Sequence, residues 1–208
     1  MASKKPTVKK KAPVAKKSTV AKKSTIKAPE TQPIIKLDLG CGKRVENHLT
    51  RMSGYIGVDI ADIDGVDVVH DLTVFPYPWE DNSVDEIFNS HFIEHLTGEE
   101  QMKFFNECYR ILKPGAKIVC IAPYYNSVRC WQDPTHKTAI SEARFLYYNK
   151  QWREINGLDH YPITCDFDFT YGYTLNPEIE SRPEEWKAFA IKHYTNIIND
   201  IHVHLTKR

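Results

Sequence analysis

Two groups of residues have the types and spacing that chemistry needs. The first is His91-Phe92-Ile93-Glu94-His95. On a helical turn, positions i, i+3 and i+4 share a face, so His91, Glu94 and His95 are expected to converge. Imidazole and carboxylate ligands together suit a divalent cation such as Mn, Fe, Co or Zn. A fourth ligand is available from His136, in Asp133-Pro134-Thr135-His136. Without a metal, His95 can act as a general base or as a structural histidine bonded to Glu94. The second group opens with Asp38-Leu39-Gly40-Cys41-Gly42, where an apolar run meets two glycines. Glycine permits positive φ and close approach of a ligand to the backbone. Asp59 and Asp71 each follow a further apolar run. A carboxylate at Asp59 can accept from both hydroxyls of a ribose, and one at Asp71 from an adenine amino group, with Leu72 flanking the ring. Taken singly, Asp38 can anchor a turn, Asp59 can be a solvated strand end and Asp71 a helix cap. Their common order and spacing favour one nucleoside-binding edge.

The elements that position these groups alternate. Residues 34–39, 55–59, 66–70 and 84–89 read as strands, and Arg44 to Met52 as a helix. From Glu99 to Leu112 the apolar residues Met102, Phe105, Cys108, Tyr109 and Leu112 recur at helical spacing. Lys113-Pro114-Gly115 ends that helix, and Ala116 to Ala122 forms a fifth strand. Ser141 to Lys150 and Pro183 to His193 read as helices, Phe167 to Leu175 as a sixth strand, and residues 198–205 as an edge strand. This alternation predicts an α/β fold, a doubly wound, mostly parallel Rossmann-like sheet of seven strands with an antiparallel edge. Ligands of such sheets bind beyond the carboxyl ends of the strands.

Composition bounds the rest. The chain has 208 residues, enough for one core with appendages. Residues 1–29 hold ten lysines and no acid, so the remainder carries 18 basic against 27 acidic side chains, a balance of −9. The segment Val14-Ala15-Lys16-Lys17-Ser18-Thr19 repeats at once as Val20-Ala21-Lys22-Lys23-Ser24-Thr25. Residues 1–32 are therefore expected to be a disordered Lys-rich tail, since such a stretch cannot bury enough apolar surface to offset its ordering entropy. It is equally a loose polyanion tether, a solubilising tail or an organelle leader. Residues 33–208 form the expected domain, with a cap inserted at about 124–161. Five cysteines without a C-x-x-C pair argue against a disulfide framework and for a reducing, cytoplasmic setting. No run is long and apolar enough for a membrane span.

The glycine turn is not a dinucleotide fingerprint, because the third glycine position is Val45, and no G-K-[ST] follows for a P-loop. Instead, Leu37-Asp38-Leu39-Gly40-Cys41-Gly42, Gly57-Val58-Asp59, His70-Asp71-Leu72, Phe75-Pro76, Asp85-Glu86-Ile87 and Leu112-Lys113-Pro114-Gly115-Ala116 resemble the core of class I S-adenosylmethionine-dependent methyltransferases of the type 11-like group. The resemblance covers residues 34–123. It implies that Asp38, Gly40 and Gly42 flank the amino-acid end of S-adenosylmethionine, that Asp59 holds the ribose, and that Asp71 and Leu72 hold the adenine. Asn89, at the tip of the fourth strand, joins this cofactor set. The link from the second to the third strand is too short for the family's usual helix. Glu94, His95 and His136 also resemble the metal site of small-RNA 3′-terminal 2′-O-methyltransferases, which take Mg or a similar ion. His91 stands where that family has Glu, which shifts the expected ion toward softer metals. His-x-x-Glu-His is also an inverzincin signature, in which Glu94 would activate a zinc-bound water, but its place behind the glycine turn ranks the transferase above the protease.

The resemblance implies that a nucleophile must be held in line with the S–CH₃ bond and relieved of its proton. A hydroxyl benefits from a Lewis acid or a base, so His91, Glu94 and His95 are the expected catalytic residues. The expected reaction is metal-assisted O-methylation of a small hydroxylated or sugar acceptor. A terminal ribose of a nucleic acid, tethered by residues 1–32, is the alternative within the class, although the acidic body would repel phosphates. A non-catalytic binding protein is the alternative outside it. Amino-directed DNA methylation is disfavoured, because Asn89-Ser90-His91 replaces the [DN]-P-P-[YF] motif after the fourth strand. Tyr124, Tyr125, Trp131, Phe145, Tyr147, Tyr148 and Trp152 surround the expected acceptor side, most of them as packing and some as stacking surfaces. Arg129 and Lys137 are candidates to meet an anionic acceptor, or simply surface charge.

Overall fold

The computed structural model describes residues 33–43 and 53–208. The expected tail over 1–32 and the expected helix from Arg44 to Met52 lie outside the described residues. Among the described residues seven strands form one sheet: β1 (Lys36–Leu39), β2 (Ile56–Asp59), β3 (Val68–Val69), β4 (Val84–Ser90), β5 (Leu112–Pro123), β6 (Phe167–Leu175) and β7 (Ile198–Lys207). Their order is β3-β2-β1-β4-β5-β7-β6. The first five run parallel, and β7 pairs antiparallel with both β5 and β6. The chain winds outward in opposite directions from β1 and β4. A crevice opens beyond their carboxyl ends, where doubly wound sheets bind ligands.

Burial explains the strands. Leu37, Leu39, Val58, Ile87, Ile118 and Cys120 are all removed from solvent. They meet α1 (Gly98–Ile111), which buries Phe104, Phe105, Cys108 and Ile111. Thr97 caps α1 through a capping box with Glu100, the threonine hydroxyl accepting from Glu100 N at 3.3 Å and the glutamate from Thr97 N at 2.7 Å. The helix ends before Pro114 and Gly115, the latter at φ 77°. Between β2 and β3 the chain contains no helix.

Three expectations need correction. The last strand is not an edge. It lies between β5 and β6, and β6 is the edge. A lone alternating run looks like an edge in sequence, but this strand hydrogen-bonds on both sides and buries Ile198, Ile201, Val203 and Leu205. The helix expected from Ser141 to Lys150 is a 3₁₀ turn, Glu142–Tyr148, followed by α3 (Lys150–Ile155), because Asn149 breaks it by capping Trp152 N. The helical turn expected to carry His91 is shorter than that spacing assumed. Only Ile93–His95 is helical, as a 3₁₀ turn, and His91 precedes it at φ 54°. Two short elements complete the top of the sheet, α2 (Val128–Gln132) after β5 and α4 (Glu184–His193) before β7.

Candidate active site

The glycine turn is fastened to β2. Gly40 N and Cys41 N both donate to Val58 O, at 2.9 and 3.2 Å. Gly42 N donates to Asp59 Oδ2 at 2.9 Å, and Ala61 N to Asp59 Oδ1 at 3.0 Å. Two backbone donors thus hold the Asp59 carboxylate, which retains lone pairs for further donors. Gly40 sits at φ 73°, and a Cβ placed on it would lie 2.5 Å from the Phe92 ring. Glycine is required here for both its dihedral and its lack of a side chain.

A crevice of about 410 Å³ lies against this turn, lined by Gly40, Asp59, Asp71 and Leu72 on one side and by Phe92, His95, Leu96, Thr135 and Lys137 on the other. Of the seven residues expected around the cofactor, these first four line it. Asp38 is buried beneath the turn, and Gly42 faces Asp59. Asn89 is fully buried and donates from Nδ2 to Cys120 Sγ at 3.1 Å, so its side chain belongs to the β4–β5 seam. Asp71 accepts from Thr73 N and Thr73 Oγ1 at 2.8 and 2.7 Å, both on Oδ1, which leaves Oδ2 available. These donors hold its carboxyl below the ordinary carboxylate value. Sequence reasoning missed Ile60 and Phe92. Ile60 is 66% exposed and also lines the crevice, and a large apolar residue directly after the β2 carboxylate was the available signal.

Beside the crevice, Glu94, His95 and His136 come together, one ligand atom from each lying within 4.8 Å of the others. His136 Nε2 is 3.9 Å from Glu94 Oε1, and His91 Nδ1 is 3.5 Å from the same oxygen. Of the four residues expected to converge, Glu94, His95 and His136 form the group, and His91 contacts the Glu94 carboxylate from outside it. Glu94 is 1% exposed, and neither carboxylate oxygen has a hydrogen-bond partner. Each histidine of the group is oriented through Nδ1. His136 Nδ1 contacts Cys130 O at 2.8 Å, an acceptor only. Thr135 Oγ1 donates to Asp133 Oδ1 at 2.7 Å, so towards His95 Nδ1, at 3.0 Å, the hydroxyl accepts. In both neutral rings Nε2 then carries the lone pair, which is how metal-binding histidines are commonly oriented. Thr135 in turn holds the Asp133 carboxyl low.

Backbone contacts join the two segments. Lys137 N and Thr138 N both donate to Glu94 O, at 2.8 and 3.1 Å. Gln101, fully buried on α1, donates to Ile93 O at 2.6 Å and Thr138 Oγ1 at 2.7 Å. Gln101, Thr135 and Thr138 had no recognisable signal in the sequence, because their roles depend on which backbone atoms the fold brings near. Of the aromatic residues, Tyr124, Phe145 and Tyr148 are buried packing, whereas Tyr125 and Trp131 are exposed. Lys137 pairs with Glu100 at 3.3 Å and Arg129 with Asp200 at 2.5 Å.

Residues 37–120 match the family model described as a methyltransferase domain. No curated protein matches the chain. Among solved structures, the chain resembles an S-adenosylmethionine-dependent methyltransferase from Archaeoglobus fulgidus, 19% identical with a TM-score of 0.58 over 84% of this chain and 86% of that one. It is also similar to such an enzyme from Mesorhizobium loti, at 13% identity and TM-score 0.49 over 86% and 94% of the two chains. A third is phosphoethanolamine N-methyltransferase 2 from Haemonchus contortus in complex with S-adenosyl-L-methionine, at 17% identity and TM-score 0.43 over 86% and 50%. Residues 37–120 carry a methyltransferase domain, on a sheet of the fold that the S-adenosylmethionine-dependent enzyme from Archaeoglobus fulgidus shares. Among the described residues no helix is long and apolar enough to cross a membrane.

Proposed function

We propose that this enzyme O-methylates a small hydroxylated or sugar acceptor with the help of a divalent metal ion. The observation that carries the reading is Glu94, a carboxylate buried to 1% exposure with neither oxygen hydrogen-bonded, facing two histidines already oriented through Nδ1. A carboxylate buried without hydrogen bonds is strongly disfavoured unless a cation meets it. Glu94, His95 and His136 fit such an ion, with His91 in contact with Glu94. When bound, the ion would act as a Lewis acid, lowering the pKa of an acceptor hydroxyl.

The protein's own residues do the rest in this reading. Asp59 accepts from the ribose hydroxyls, Asp71 Oδ2 accepts from the adenine amino group, and Ile60 and Leu72 flank the ring. Asp38, Gly40 and Gly42 lie at the amino-acid end, and Asn89 supports that end from beneath. Gly40 and His95 line one crevice, which supports a sulfonium methyl group held beside the acceptor hydroxyl. With the ion on His95, His91 is the group placed to take the proton. The division into a tail over 1–32, a domain over 33–208 and a cap at about 124–161 belongs to the same proposal.

Calorimetry with S-adenosylhomocysteine, elemental analysis and labelled methyl transfer with and without chelator test it. Asp59→Ala is expected to weaken cofactor binding tenfold or more. His136→Ala is expected to lose metal and transfer while retaining cofactor. Metal-free wild type with full, chelator-insensitive transfer would refute the metal. A nucleic-acid terminal ribose is a second reading, favoured by the ten lysines of residues 1–29. Removing 1–32 would then abolish retention on nucleic acid, whereas turnover of a small acceptor would survive.

A further inference from the structure

Asp200 lies near the start of β7, in register with Pro123 at the end of β5 and with Thr174 on β6. It therefore sits at the carboxyl end of the parallel strands, the end that carries His91 and Glu94. Its side chain is 6% exposed. One oxygen, Oδ2, accepts from Arg129 Nη1 at 2.5 Å. The other, Oδ1, is buried with no hydrogen-bond partner. Burial pushes this carboxyl up, with Arg129, His91 and His202 pulling against it and Glu94 adding to it. Asp200 thus shares an electrostatic neighbourhood with the proposed catalytic residues, although none of them donates to Oδ1. Arg129 lies on α2, next to Cys130, whose carbonyl orients His136. A single short helix therefore aligns both Asp200 and the histidine.

A buried carboxylate oxygen that the fold leaves unsatisfied is suited to a donor that arrives with a ligand. We infer that Asp200 is an acceptor-binding residue: Oδ1 accepts the hydroxyl vicinal to the one that is methylated, selecting diols over single alcohols. Arg129 is the positioning residue that fixes which oxygen faces the acceptor. The inference rests on the O-methylation reading and narrows its substrate class to vicinal diols. It also explains an Asp–Arg pair at this point better than a strap between α2 and β7 would, since a strap has no use for an unsatisfied second oxygen.

Asp200→Asn supplies a sharp test. Arg129 has only donors, so the asparagine carbonyl must face it, and the amide NH₂ then replaces Oδ1. The inward acceptor becomes a donor with little change in shape. Labelled methyl transfer would be measured for catechol against phenol and for a methyl riboside against the methyl deoxyriboside, with S-adenosylhomocysteine calorimetry and melting as controls on the fold. Wild type is expected to favour the diols by tenfold or more in kcat/KM, and Asp200→Asn to lose that preference through a raised KM for the diols. Asp200→Ser removes the same carboxylate and should give the same loss if asparagine disturbs melting. A diol preference that survives both variants, or its absence from wild type, overturns the inference alone. Cofactor binding with no transfer to any of the four compounds overturns the hydroxylated-acceptor reading and this inference with it.

Discussion

Replacing Gly40 with alanine should strike the fold and the cofactor site together. The position has φ 73°, and the new Cβ would lie 2.5, 2.6 and 2.8 Å from three Phe92 atoms. A left-handed conformation costs an L-residue roughly 1–2 kcal/mol. Overpacking adds about 1–3 kcal/mol, because Phe92 is itself packed against the fully buried Phe104, the rings tilted at 56° with centroids 5.5 Å apart. The total, about 2–5 kcal/mol, is a large fraction of the stability of a typical domain. It corresponds to a fall in melting temperature of roughly 4–20 °C for a domain of this size. Phe92 and Gly40 both line the crevice, so a displaced ring also deforms it. S-adenosylhomocysteine affinity is expected to drop at least tenfold. The decisive assay is a double-mutant cycle with Phe92→Ala, followed by denaturation and calorimetry. Removing the ring relieves the clash but not the dihedral strain, so the double variant should be less destabilised than the two single changes added together, by about 1–3 kcal/mol. Strict additivity, or a Gly40→Ala protein that melts and binds as wild type does, would refute the reasoning.

Three other outcomes follow from the geometry. Lys207 is buried and its Nζ donates to Asn82 Oδ1, Tyr109 O and Leu112 O at 2.8, 2.5 and 2.8 Å. Lys207→Met should cost about 1–3 kcal/mol or more in urea denaturation, because it strands the carbonyls at the end of α1. Asp85 is held below the ordinary carboxylate value by Lys113, at 2.6 Å, and by Ile35 N–H. A depressed carboxyl stabilises the fold above the unfolded value and loses that contribution as pH falls through the folded value. Melting measured across that acid range should therefore be less pH-dependent in Lys113→Met. Gln101→Leu leaves Ile93 O and Thr138 Oγ1 without their buried donor, for roughly 1–3 kcal/mol by denaturation, although it touches neither cofactor nor acceptor.

Much of the fold was legible because each signal is local. The apolar spacing of α1, the strand-ending glycines and the Pro114-Gly115 stop depend on neighbours a few residues away. The positions of Asp38, Asp59 and Asp71 were legible for the same reason, since the first two fall at the ends of β1 and β2 and the third just past β3. Strand β7 was misplaced because alternation reports a buried face and says nothing of how many strands lie alongside. His91 was expected on a helical face because spacing alone cannot tell an α-helical turn from a 3₁₀ turn preceded by a left-handed residue.

What the sequence determined, then, is the inventory: a glycine turn with carboxylates at successive strand ends, a His-Glu-His run and a later histidine. What only the tertiary structure decided is how that inventory is oriented. The Glu94 carboxylate stays without a hydrogen bond while its own carbonyl is used twice, and His95 and His136 turn their Nδ1 atoms toward Thr135 and Cys130. Asp200, more than a hundred residues from Glu94 in the chain, meets Arg129 with one oxygen and leaves the other unused. Such relations depend on which buried backbone and side-chain atoms are within about 3 Å of one another. Long-range packing sets that distance, and no pattern of residue types along the chain encodes it.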